Sequence, residues 1–143
     1  MAAAPILRSA LRDGPLDVAG LIAEAGSPQA GAIVVFLGTA RDHSPGKEGI
    51  THLEYEAYPE HVVTKLDEVL QEAAGKWELI AALAEHRVGE VKVGEPSVAV
   101  VVSSAHREEA FAAGRHIIEE LKKRVPLWKK EHWPGGGQWV EGA

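Results

Sequence analysis

Ser97-Val-Ala-Val-Val-Val-Ser-Ser-Ala-His-Arg107 is the stretch on which the fold turns. The valine-rich run from Ser97 to Val102 has the signature of a buried strand. Ser103 and Ser104 then hand the chain to a long helix. Its apolar positions, Phe111, Gly114, Ile118, Leu121 and Val125, recur at three-four spacing. Ser104 is placed as the helix N-cap. Pro126 ends the helix, because the residue before a proline is biased away from helical geometry.

Working outward, Leu79 to Arg87 reads as a strand, joined to Ser97 by a turn-rich connection, Val88-Gly-Glu-Val-Lys-Val-Gly-Glu-Pro96. Ala32 to Leu37 is a second continuous apolar run and reads as another buried strand. Ile50 to Tyr58 alternates Leu53, Tyr55 and Ala57 against His52, Glu54 and Glu56, as a half-buried strand does. Pro59 opens an amphipathic helix through Val62, Leu66, Val69, Leu70 and Ala73, with its end near Gly75. Leu16 to Ala25 has helical spacing up to Gly26, and Ile6 to Leu11 reads as a short edge strand. Leu127 to Trp133 reads as extended, Pro134-Gly-Gly-Gly137 as a turn, and Gln138 to Glu141 as a last strand. Strands and helices mix without regular βαβ spacing. The expected fold is α+β, a mainly antiparallel sheet with helices packed on one side, in a single domain over residues 1–143. His43 to Gly49 has loop chemistry and is expected to be mobile, as is the C-terminal end.

With 45% apolar and 25% charged residues, the chain has the composition of an ordinary globular domain. No apolar run approaches the roughly 20 residues of a membrane span. The start, Met1-Ala-Ala-Ala-Pro-Ile-Leu-Arg8, lacks the pattern of a signal peptide, so a cytoplasmic location is expected. The chain has no cysteine. Disulfides, thiolate metal sites, iron–sulfur clusters and cysteine nucleophiles are therefore excluded. If the protein handles sulfur, the sulfur must arrive on another molecule. The seven histidines form no i,i+3 or i,i+4 pair, so no metal site is expected. No phosphate-binding loop, dinucleotide fingerprint or serine-nucleophile elbow is present. A net charge of −6 argues against nucleic-acid binding.

Chemistry has three candidate places. The first is Ser103-Ser-Ala-His-Arg107, where a strand meets a helix start. Unpaired N–H groups there suit an anion, and His106 and Arg107 add donors; a plain capped helix start explains the same residues equally. The second is Gly38-Thr39-Ala40-Arg41-Asp42, at a strand exit, where sites are often built; in isolation a turn with a solvated Arg41 is the better account, and Asp42 could also pair with Arg41 and blunt its charge. The third is Leu121-Lys-Lys-Arg-Val-Pro-Leu-Trp-Lys-Lys-Glu131. From charge alone a solvated helix end is the better account of Lys122, Lys123 and Arg124. Lys129 and Lys130 lie beyond the helix, and Trp128 is a candidate apolar wall that would lower a lysine pKa. His86-Arg87-Val-Gly-Glu90 reads as a strand end and turn at which His86 could line a site.

Together, Gly31-Ala-Ile-Val-Val-Phe-Leu-Gly-Thr-Ala-Arg-Asp42, Leu53-Glu-Tyr-Glu-Ala-Tyr58, His86-Arg-Val-Gly89, Val102-Ser-Ser-Ala-His-Arg107 and Leu121 to Glu131 resemble the large, catalytic subunit family of molybdopterin synthase, the MoaE family. The segments come in the family's order and span most of the chain from Pro15 to Val140. The resemblance implies an α/β hammerhead-like fold and a sulfurtransferase of molybdenum cofactor biosynthesis. The family converts cyclic pyranopterin monophosphate into molybdopterin by inserting two sulfurs as a dithiolene. Each sulfur arrives as a thiocarboxylate on the C-terminal tail of a small ubiquitin-like subunit. The resemblance further implies a homodimer carrying two small subunits, a heterotetramer, with active sites near the dimer interface; no cofactor or metal, nucleic acid or membrane enters. Carried over by position, Lys122 and Lys129 match the catalytic lysines. Thr39, Ala40, Arg41, His106, Arg107, Lys122, Lys129, Lys130 and Glu131 match substrate-binding segments. Arg41, His106 and Arg107 would hold phosphate and pterin, and the small subunit's tail would enter along Pro126 to Trp128. Many bacterial members have lysine at the position of Thr39, which weakens a direct role for that side chain. Two rivals are a non-catalytic module that docks a ubiquitin-like partner and a phosphate-ester enzyme unrelated to sulfur.

Overall fold

The computed structural model describes residues 3–141, and the chain end expected to be flexible lies outside them. Seven strands form one sheet in the order β2-β5-β4-β3-β6-β7, with β1 attached to β4. The strands are β1 (Ile6–Asp13), β2 (Ala32–Thr39), β3 (His52–Ala57), β4 (Ala81–Lys92), β5 (Pro96–Ser104), β6 (Leu127–Trp133) and β7 (Gly136–Glu141). The β1–β4 pair is parallel and every other pair antiparallel. The antiparallel α+β expectation holds.

Strand β4 organises the sheet. Ala81–His86 pairs with β5 on one side while Ala81–Val88 pairs with β1 on the other. From Gly89 onward that second side passes to β3. Gly89 has φ +84°, a left-handed conformation that a side chain would strain, and it sits where the partner changes. The expected turn-rich connection from Val88 to Pro96 is mostly strand. β4 runs to Lys92 because Val91 is fully buried, and the chain reverses only around Gly94, at φ +90°.

Helices α2 (Pro59–Lys76) and α3 (Arg107–Arg124) cover one face. Val62, Leu66, Val69 and Leu70 of α2 and Ala113, Ile117 and Leu121 of α3 pack on Ala82, Ala84, Val98, Val100 and Val102. The alternate residues Ala81, Leu83, Ala99 and Val101 point to the other face and meet Leu21 and Ala25 of α1 (Val18–Ala25). The two long helices thus share a side as expected, and the short α1 sits on the opposite one. Asp17 caps α1 by accepting from the Gly20 N–H at 3.0 Å.

Two further expectations need correction. β2 is not buried on both faces. It is an edge strand whose Val34 and Phe36 pack inward while Ile33, Val35 and Leu37 stay exposed. The α3 stripe is built on Ala110, Ala113, Gly114, Ile117, Ile118 and Leu121, and Phe111 is 62% exposed. The small residues of that stripe let α3 approach the sheet, where a Cβ on Gly114 would touch Val34 at 3.5 Å.

Candidate active site

A cavity of about 260 Å³ opens between the end of α3 and the sheet. Its lining gathers three of the expected cations. Arg41 comes from the exit of β2, Lys122 from the last turn of α3 and Lys129 from β6. Lys122 lies one turn beyond Ile118, on the flank of the buried stripe, so its stem runs beside core while its head stays accessible. Lys129 reaches the cavity through strand alternation. Leu127, Lys129 and Glu131 face the helices, and Trp128 and Lys130 face away.

Alternation also sorts the remaining candidates. Thr39 and Glu131 line the cavity. Ala40 turns into a small core with Ile50, Leu53, Tyr55 and Val91, and its backbone N–H and C=O bond to Glu95 and Gly94. Lys130 lies over the Trp139 ring, 5.6 Å from its centroid, on the opposite face of β6. Trp128 shares that outer face and packs edge-on against Tyr58. It is therefore not the wall of the Lys129 site; Leu53, Tyr55, Ile118 and Leu121 supply the apolar surroundings. Burial lowers the pKa of Lys129, opposed by Glu131 and reinforced by Lys122 and Arg41.

Asp42 does not pair with Arg41. It accepts from His43 at 2.8 Å, which holds its carboxyl below the usual range. Among the described residues Arg41 has no ion-pair partner, so its charge is available to a ligand. The segment 43–49 closes on itself through reciprocal Ser44–Lys47 backbone bonds of 3.1 and 2.9 Å. It is tied across the cavity rim, with Ser44 Oγ and Lys47 Nζ 3.3 and 3.1 Å from Glu131 Oε1. Glu131 is 3% exposed and thus acts on the loop in this state.

His106 and Arg107 stand apart. His106 is the N-cap of α3 and makes no side-chain capping bond, while Ser104 is the last residue of β5 and donates its hydroxyl to the His106 carbonyl. The expected serine cap is therefore displaced by two residues. Fifteen residues of helix separate Arg107 from Lys122, about 22 Å at 1.5 Å per residue. One copy of the chain cannot bring both to the same small ligand. Sequence reasoning missed Tyr55 and Ser97, which line the cavity, and left His86 open. The signal for Tyr55 was present, because β3 alternation turns it inward and the β3–β6 register sets it opposite Lys129.

Fold and cavity together define a class: an α+β protein with a lysine-and-arginine pocket on the helix face of its sheet, suited to an anionic ligand. The chain belongs to the MoaE family; the model described as MoaE protein matches residues 11–124. It is 42% identical to the molybdopterin synthase catalytic subunit 1 of Mycobacterium tuberculosis, over 91% of this chain and 88% of that protein. It is 44% identical to the molybdopterin synthase catalytic subunit of Pyrococcus abyssi, over 85% of this chain and 81% of that protein. The crystal structure of molybdopterin synthase from Staphylococcus aureus matches with TM-score 0.86 and 33% identity, covering 92% of this chain and 95% of that one.

Proposed function

We propose that the chain is the catalytic subunit of a molybdopterin synthase. It moves two sulfurs from the thiocarboxylated tail of a small ubiquitin-like subunit to cyclic pyranopterin monophosphate. The observation that carries this reading is the convergence of Arg41, Lys122 and Lys129 on one cavity in a chain without cysteine. Both reactants, a phosphate ester and a thiocarboxylate, are anions. At 4 Å and an effective dielectric of 20 two like charges repel by about 4 kcal/mol. Three cations around one cavity offset that repulsion and favour the charge that builds as sulfur attacks.

Arg41 holds the phosphate, and its fork suits two oxygens at once. Lys129, with its lowered pKa, orients the substrate or the incoming carboxylate. Lys122 is the acid–base or covalent catalyst beside the thiocarboxylate. Thr39 lines the entrance, and Glu131 releases the 43–49 segment when substrate enters, which makes that segment a closing element. Lys130 and Ala40 support the site from behind it.

The protein works as a homodimer, in a heterotetramer with two small subunits, and His106 and Arg107 serve the site of the second copy. Three features support this. β2 is an edge strand with an unpaired side, it carries an exposed apolar stripe, and its Ala32 end adjoins the start of α3 through the Gly31–Ser104 bond of 3.0 Å. Two β2 edges meeting about a two-fold axis set the Ala32 end of one copy against the Thr39 end of the other. Arg107 of one then approaches Arg41 of its partner. No helix among the described residues is long and apolar enough to cross a membrane, and the reaction belongs in the cytoplasm.

The test is reconstitution. The purified protein, a thiocarboxylated small subunit and cyclic pyranopterin monophosphate are mixed and molybdopterin is measured. Product is expected, and its absence from the wild-type mixture overturns the assignment.

A further inference from the structure

The cavity contains one more group that the assignments above do not use. His86 sits on β4, faces α3 and is 1% exposed. Its Nδ1 lies 2.8 Å from the Arg87 carbonyl oxygen. A carbonyl only accepts, so Nδ1 carries the ring proton and donates it. In the neutral ring Nε2 is then a bare lone pair, and it has no hydrogen-bond partner among the described residues. The Tyr55 ring stands edge-on to the imidazole, with centroids 4.9 Å apart and planes at 67°, which fixes the ring's orientation.

Burial and the neighbouring charge keep the ring neutral. Burial, with Lys122 adding to it and the Arg87 carbonyl opposing it, pushes the His86 pKa down to about 4. The titratable groups sharing the cavity from the other elements are Tyr55 on β3, Lys122 on α3, Lys129 and Glu131 on β6, and Arg41 and His43 after β2, with the hydroxyls of Thr39, Ser44 and Ser97 beside them. The cations offer only donors. The Glu131 carboxylate already receives Ser44 and Lys47. His86 Nε2 is therefore a buried, neutral, unengaged acceptor in a pocket otherwise made for anions. Leaving such an atom unmet costs about 1–3 kcal/mol.

We propose that His86 Nε2 accepts a hydrogen bond from a ring N–H of the bound pyranopterin, so that His86 orients the pterin while the cations hold its phosphate. This rests on the function proposed above and adds a substrate-binding residue to it. A reduced pterin is rich in ring N–H donors, and a lone pair is the group that distinguishes it from a phosphate. The cyclic phosphodiester carries no O–H and offers only acceptors to the same atom.

Nitrogen NMR on histidine-labelled wild-type protein tests this without altering the chain. His86 should show Nδ1 protonated and Nε2 bare near neutral pH. Saturating cyclic pyranopterin monophosphate should move Nε2 toward its hydrogen-bonded position, and dimethyl phosphate, a diester with no O–H, should not. An unmoved Nε2 at saturation, a protonated Nε2 in the free protein, or the same shift with dimethyl phosphate alone overturns the proposal. In the reconstituted reaction, His86→Phe should raise KM for the pterin about tenfold with a smaller change in kcat, the loss of one hydrogen bond used in binding. His86→Gln, which returns an acceptor, should recover part of it. KM for the thiocarboxylated subunit should not move in either variant. A wild-type KM in His86→Phe overturns the proposal. Absence of product from the wild type instead overturns the assigned reaction, and the NMR arm still reads pterin binding directly.

Discussion

His86 also makes the fold sensitive to acid, by an amount that follows from its burial. Its pKa falls from 6.5 in an exposed ring to about 4 in the folded chain. Between those values the unfolded state binds more protons, so stability is present above pH 6.5 and is lost as pH falls toward 4. Taking those two pKa values, the loss reaches about 2 kcal/mol by pH 5 and about 3 kcal/mol by pH 4. The assay is urea denaturation of wild type and His86→Gln from pH 7.5 to pH 5. The glutamine does not titrate, while every other histidine and carboxylate is common to both proteins and cancels in the difference. The wild type should lose about 2 kcal/mol relative to the variant over that range. A difference that stays constant with pH would refute the buried, neutral imidazole.

Other outcomes follow from the same structure. Gly31→Ala should destabilise the fold and lower its melting temperature, because a Cβ there overlaps the Ala105 carbonyl oxygen and backbone cannot step aside as a side chain can. Glu85→Gln should cost about 2 kcal/mol in urea denaturation. Burial works to raise the Glu85 carboxyl, and hydrogen bonds from Arg12 and Arg8 outweigh it, so those partners would lose a charged acceptor. Leu121→Ala, at a fully buried α3 position beside the cavity, should cost about 2–5 kcal/mol and loosen the placement of Lys122. Mixing Arg107→Ala with Lys122→Ala protein should restore activity that neither has alone, because mixed dimers rebuild one intact site; an inactive mixture would place Arg107 outside the partner's site.

The parts of this protein that could be read from its sequence are those whose pattern answers to one neighbour. Alternation in β3 and the apolar spacing of α2 each report a single buried face, and both elements fall where the pattern puts them. β2 misleads because a continuous apolar run signals burial on both faces, whereas Ile33, Val35 and Leu37 are left exposed on one of them. The Val88–Pro96 stretch misleads in the opposite direction. Its glycines suggest turns, yet Gly89 serves a change of strand partner and Val91 is core. The site divides along the same line. Lys122 follows from the helical spacing that sets it beside Leu121, whereas Lys129 needs the β6 alternation that separates it from Trp128. Asp42 bonding to His43, Trp128 facing outward and the separation of Arg107 from Lys122 depend on how elements meet, which no local pattern records. His86 depends on a single hydrogen bond to the next residue's carbonyl that selects its tautomer.

The most direct measurement is single-turnover molybdopterin formation by Lys122→Ala, with binding of the pterin and of the thiocarboxylated subunit measured in parallel. If the cavity of Arg41, Lys122 and Lys129 carries the chemistry, the variant folds, binds both reactants and yields no dithiolene product. Wild-type yield from Lys122→Ala would contradict the account.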